Sequence, residues 1–204
     1  NNSEQMRLTS TGLGIGTSSP SYKLHIKGGN NNSVLIDNDG SRYTSTYIAN
    51  NGTVKAGLYW DNTSTELHVG TSVSAALHFN INGGSAAILD SSGNLGLGVT
   101  PSGWDGSWKV IQANSYFGAF GASTSGAVQT FMSSNAYYSG GSWKGGVTGS
   151  NATLYQQLGG QHQWFNALSV TNGTNFTFTQ AMTLDGSGNL GIGTSSPAAK
   201  LNAY

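Results

Sequence analysis

Cleavage of a glycosidic bond calls for a pair of carboxyl groups. The chain offers eight: Glu4, Asp37, Asp39, Asp61, Glu66, Asp90, Asp105 and Asp185. Asp90 and Asp185 open Asp-Ser-Ser-Gly-Asn and Asp-Gly-Ser-Gly-Asn turns, and Asp37, Asp39 and Asp61 lie in Asn- and Gly-rich turn contexts. Glu66 and Asp105 lack an obvious local reason. Asp37-Asn38-Asp39-Gly40 resembles the start of a calcium loop, but the twelfth position, which needs a glutamate, is Ile48. The histidines His25, His68, His78 and His162 are well separated, and none forms a metal pair at close spacing. Copies of His25 or His68 meeting on a threefold axis would make a metal site or an axial cluster. No Gly-x-Ser-x-Gly nucleophile elbow is present. The expected catalytic and metal-binding sets are therefore empty, and no cofactor is expected.

Binding chemistry is better represented. Aromatic rings stack on the apolar faces of sugars while amides and hydroxyls bond their oxygens. Tyr137, Tyr138 and Trp143, with Asn135 and Lys144, fall in residues 133–150, the least regular stretch of the chain. Loops on a rigid scaffold are the usual seat of binding. Trp104 and Trp108, flanking Asp105, form a second candidate set, and Tyr59 with Trp60 a third. The competing expectation for each is an aromatic packed in a core or between subunits.

A repeat organises the elements that would carry these residues. Gly-Leu-Gly-Ile-Gly-Thr-Ser-Ser-Pro fills 12–20, Gly-Asn-Leu-Gly-Ile-Gly-Thr-Ser-Ser-Pro fills 188–197, and the diverged Gly-Asn-Leu-Gly-Leu-Gly-Val-Thr-Pro fills 93–101. Each follows an apolar pair (Met6 and Leu8, Ile88 and Leu89, Met182 and Leu184) and precedes a lysine-led strand at Lys23, Lys109 or Lys200. Side chains alternate along a strand, so the leucine and isoleucine share one face and glycines the other. Glycine at every second position predicts close approach of another backbone there, within a monomer or around a threefold axis. The unit reads as strand, tight turn, glycine-alternating strand, Ser-Pro turn, strand. A phosphate-cradling loop is excluded because no helix follows the glycines.

Composition agrees with a β-rich chain. Of 204 residues, 31 are glycine and only 8% are charged, with net charge zero. No basic patch points to nucleic acid. No apolar run reaches the roughly 20 residues of a membrane span, so membrane insertion is not expected. Cysteine is absent, which removes disulfides and thiolate sites. Short strands at Val34–Ile36, Tyr43–Ala49, Val54–Trp60, Glu66–Val69, Leu77–Ile81, Ala152–Leu158 and His162–Phe165 alternate with Asn-Gly and Gly-Gly turns. An all-β fold follows: an N-terminal repeat strand over 1–23, a first β-module over 24–107 and a second over 108–204, ending in the glycine-alternating repeat. Such short, glycine-rich strands predict a thin core, with association into an intertwined homotrimer supplying the missing burial. Both ends read as cut from a longer polypeptide.

The segment Met-x-Leu-Asp-x-x-Gly-Asn-Leu-Gly-Ile-Gly-Thr-Ser-Ser-Pro-x-x-Lys-Leu over 182–201 resembles the distal part of tail fibres and tailspikes of tailed bacteriophages. The resemblance is strong over 6–26 and 182–201, fair over 87–101 and stylistic elsewhere. In that family the segment stands upstream of a self-cleaving intramolecular chaperone, which would place Tyr204 near a cleavage point. The resemblance implies a homotrimeric fibre segment on the virion that attaches to a bacterial surface receptor, a glycan or a protein. Alternatives are a polysaccharide-degrading tip with its carboxylates between subunits, and a passive spacer.

Overall fold

Each repeat folds in the same way, and the large sheet is assembled around two of the three copies. The computed structural model describes residues 4–28, 43–61, 63–114, 118–123 and 129–204. The expected strand at Val34–Ile36, the Asp37–Gly40 turn, and Tyr116, Phe117 and Val128 lie outside the described residues. Among the described residues there is no helix, as the all-β expectation requires. The chain divides into two compact units, Asn1–Ala49 with Gly57–Val69 and Asn50–Ala56 with Gly70–Tyr204.

Strands β1 (Met6–Leu8), β2 (Leu13–Ile15) and β3 (Leu24–Ile26) form a small sheet in that order. Strands β4 (Tyr43–Asn50), β5 (Thr53–Asp61) and β6 (Glu66–Thr71) form a second. The remaining elements are β7 (Leu77–Ile81), β8 (Gly84–Leu89), β9 (Leu95–Leu97), β10 (Trp108–Ala113), β11 (Gly118–Ser123), β12 (Gln129–Ser134), β13 (Ala136–Ser139), β14 (Ser142–Gly145), β15 (Ser150–Leu158), β16 (Gln161–Val170), β17 (Thr179–Leu184), β18 (Leu190–Ile192) and β19 (Leu201–Ala203). Eleven of these make one sheet, ordered β19-β18-β17-β16-β15-β12-β11-β10-β9-β8-β7, while β13 and β14 pair separately as a hairpin.

The repeat is β1-β2-β3, β8-β9-β10 and β17-β18-β19. In each, the first pair is antiparallel and the second parallel. Local chemistry explains the turns. The Asp185 carboxylate accepts from the backbone N–H of Ser187 at 2.9 Å and of Asn189 at 2.8 Å, and from the Asn189 side-chain amide at 3.1 Å. Asp90 repeats this with Ser92 and Asn94 at 2.9, 2.8 and 3.1 Å. Gly93 and Gly188 take the left-handed position these turns require, at φ 81° and 74°. The lysine that follows each of these two copies reaches back to the turn: Lys200 Nζ donates to the Ser187 carbonyl at 2.8 Å, and Lys109 Nζ to that of Ser92.

The central glycine is the hinge of each unit. The expected close backbone is the chain's own Thr/Ser-Pro loop, which folds back over it. A Cβ on Gly191 would lie 2.7 Å from the Thr194 carbonyl oxygen, and one on Gly96 or Gly14 would overlap that of Val99 or Thr17. Pro20, Pro101 and Pro197, the prolines of these loops, are buried. The close approach is thus met within one chain, and no threefold axis is needed to explain the glycines.

The core lies on one face of the large sheet. β10 shows why: Trp108, Val110 and Gln112 are buried while Lys109, Ile111 and Ala113 alternate outward. Trp108, Val110, Ala119, Phe131 and Leu154 form the cluster, with Trp104 laid over it from the loop before β10. Gly121 leaves room for Phe131, whose ring would be 2.5 Å from a Cβ there.

Candidate functional site

Within residues 133–150, the stretch 136–145 folds as the β13–β14 hairpin, correcting its reading as an irregular loop. Two side chains fix it. Asn135, 5% exposed and left-handed at φ 55°, accepts from the Val147 N–H at 2.6 Å and donates to the carbonyls of Val147, Ser150 and Asn151 at 3.2–3.3 Å. Asp105 accepts from the backbone N–H groups of Gly140 and Gly141, at 2.7 and 3.0 Å, and so clamps the hairpin tip. The structural reason missing for Asp105 in the sequence is this contact, made 35 and 36 residues away.

The hairpin packs on the covered face of the large sheet. Tyr138 and Trp143 are cross-strand partners, as are Tyr137 and Lys144. Trp143 stands among aromatic neighbours, with ring centroids 5.5 Å from Phe131, Tyr138 and Phe178 and 6.4 Å from Trp104. Tyr137 meets Trp104 edge-on at 6.2 Å.

The sequence-selected residues therefore separate. Trp104 and Trp108, 5% and 7% exposed, are core residues and present no ring to a ligand. Asn135 is likewise buried and engaged by backbone. These three are withdrawn as ligand contacts on grounds of burial. Tyr137, Tyr138, Trp143 and Lys144 are half-buried. Tyr59 stacks on His68 at 4.6 Å and 2°, and Trp60 is exposed.

A cleft of about 300 Å³ opens beside the hairpin. Its walls are Tyr138, Ser142 and Trp143 from the hairpin, Leu154, Gln156 and Phe165 from the sheet, and the segment 176–178. That segment is tied to β14 by the Phe176 N–H, which donates to the Trp143 carbonyl at 3.0 Å. Gln156 belongs to a chain of amides running across three strands. Gln129 donates to Gln156 at 2.6 Å, Gln156 to Gln163 at 2.6 Å, and Gln163 to Gln161 at 2.8 Å. Sequence reasoning missed Gln156, Phe165, Phe176 and Phe178. The cue was Phe-Thr-Phe at 176–178, two aromatics on one side of an extended segment.

The opposite face of the sheet is open. One position on each of its eleven strands falls in a single cross-strand row. From β7 to β19 it reads Leu77, Leu89, Leu95, Ile111, Phe120, Met132, Tyr155, Trp164, Met182, Ile192 and Ala203. Every member is apolar or aromatic. Phe120 and Met132 are 52% and 54% exposed.

Glu4, Asp61 and Glu66 have near neighbours in sequence as partners. Glu4 pairs with Arg7, whose hydrogen bond holds the Glu4 carboxyl below its usual range. Asp61 accepts from the Thr63 N–H at 2.8 Å, and Glu66 lies 3.7 Å from His68. Among the described residues no group of three or more His, Asp or Glu could hold a metal ion.

No family model and no curated protein matches this sequence.

Proposed function

We propose that this chain is a structural and receptor-binding segment of a phage tail fibre, assembled as a homotrimer and attaching to a bacterial surface by multivalent, non-catalytic contacts. The observation that carries assembly is the open apolar row. Each half-exposed side chain of that size gains about 1–2 kcal/mol when covered. Five members of the row, Leu89, Ile111, Phe120, Met132 and Ile192, are 40–54% exposed, and large exposed side chains aligned across one sheet make a surface shaped for a partner. The fibre assignment rests on the repeat and its resemblance to tail-fibre sequences. Three weak sites on one rigid body gain avidity wherever the surface repeats its ligand, and the virion is the corresponding location.

Light scattering on a sizing column tests the assembly. The expected mass is about 63 kDa, three times 21.1 kDa, and a species of 21.1 kDa would overturn it. Adsorption to cells without loss of surface polymer is the expected behaviour. Polymer loss would replace the adhesin with the depolymerising tip.

A further inference from the structure

We infer that the cleft beside the β13–β14 hairpin is a subsite for one neutral hexose ring. The inference rests on the receptor-binding reading and gives it a ligand class and a place. At about 300 Å³ the cleft stands at the small end of ligand pockets.

Its lining has two kinds of surface. Trp143, Phe165, Phe176 and Phe178 supply aromatic area, with Phe178 edge-on to Trp143 at 5.5 Å and 78° and 4.8 Å from Phe176. Among them are neutral polar groups without a partner among the described residues. The Tyr138, Ser142 and Thr177 hydroxyls and the Trp143 indole N–H bond no other described residue. Gln156, 9% exposed, uses one N–H on Gln163 and one oxygen lone pair for Gln129. One N–H and one lone pair remain, on an amide whose orientation the glutamine chain holds.

This set selects among ligands. No charged side chain lines the cleft, so a phosphate, carboxylate or ammonium group finds no counter-charge there. A purely apolar side chain from another protein would cover the hydroxyls, the indole and Gln156 without pairing them, at the cost of their hydration. A pyranose presents C–H groups on its face and hydroxyls on its rim, and so satisfies both surfaces. The Gln156 amide in the lining would fix ring orientation, and Trp143 and Phe178 would carry the stacking.

The test is saturation-transfer NMR with a parallel tryptophan-fluorescence titration of the purified chain. The probes are the methyl glycosides of glucose, galactose and N-acetylglucosamine, with methyl glucuronide as the charged comparison. Saturable binding of at least one neutral glycoside is expected, and the glucuronide should bind roughly tenfold more weakly than the glucoside. Trp143→Phe keeps an aromatic ring at this position but removes the indole N–H and part of the ring contact. Thr177→Val, on an exposed residue, removes one hydroxyl. Each should weaken binding roughly tenfold, and Thr177→Val should do so with an unchanged melting temperature. Absence of saturable binding by all three neutral glycosides, or binding unmoved by Thr177→Val and Trp143→Phe, overturns the site. Light scattering on the same sample separates the two readings. A species of about 63 kDa, three times 21.1 kDa, that binds no glycoside removes the hexose site and leaves the fibre. A 21.1 kDa species that binds removes the assembly and leaves the site.

Discussion

Gly96 and Gly191 are held by sterics and Asp185 by hydrogen bonds, and the two kinds of constraint give different predictions. A Cβ on Gly191 lies 2.7 Å from the Thr194 carbonyl oxygen and 2.9 Å from its methyl, so Gly191→Ala must push the Ser-Pro loop off the strand. A loss of about 1–3 kcal/mol is expected in denaturant melts. Gly106, whose Cβ would meet nothing within 4 Å, is the comparison, and Gly106→Ala should stay within about 0.5 kcal/mol of the parent. Equal effects at the two positions would contradict the account. The Asp185 carboxyl is held below its ordinary value of 3.8, first by the Asn189 backbone N–H, then by the Asn189 side chain, the Ser187 N–H and the Lys200 charge. Its support for the turn is therefore present above the unfolded carboxyl pKa and is lost as pH falls through the lower folded value. The amide signals of Ser187 and Asn189 should titrate with a midpoint below 3.8, and a midpoint at or above it would show that those bonds do not favour the carboxylate.

At the level of elements, the hairpin is stabilised from a distance. Local pairing of two four-residue strands is marginal in water. What holds β13–β14 is Trp143 against the core, Asn135 at its base and Asp105 at its tip. Asp105→Ala removes two charge-assisted bonds and should cost about 2 kcal/mol. Faster hydrogen exchange at Gly140 and Gly141 is the direct readout, and unchanged protection there would rule out the clamp. The same packing limits mutagenesis of the cleft. Truncating Trp143 to Ala removes a side chain that touches Phe131 and Trp104, so its effect mixes stability with binding. Trp143→Phe is the cleaner change.

For the whole molecule, the decisive asymmetry is between the two faces of the large sheet. One is covered by the hairpin, the Trp104 loop and the 171–178 segment. The other carries the apolar row. Phe120→Asp and Met132→Asp together place two carboxylates in the middle of that row, on side chains already half exposed. They should leave the fold intact and convert a species of about 63 kDa, three copies of 21.1 kDa, into one of 21.1 kDa by light scattering. An unchanged mass would place the subunit contact elsewhere. Non-local packing is also what separated the aromatic candidates: Trp104 and Trp108 went into the core, whereas Tyr138 and Trp143 edge a cleft.

The repeat, its turns and the all-β class were legible in the sequence because they arise locally. Two-residue alternation, Asp-x-Ser-Gly-Asn chemistry and the glycine rhythm act within a dozen residues of one another. Even the need for close backbone approach at Gly14, Gly96 and Gly191 could be read there, although the partner proved to be the adjacent loop. The hairpin could not be read, since glycines and serines blur its period and its anchors lie far off in the chain. Nor could the open row, because both alternating sets of β10 and β12 hold apolar residues. Which set is covered depends on cross-strand register and on what lies above the sheet. Those are properties of strands meeting in space, and no single strand carries them.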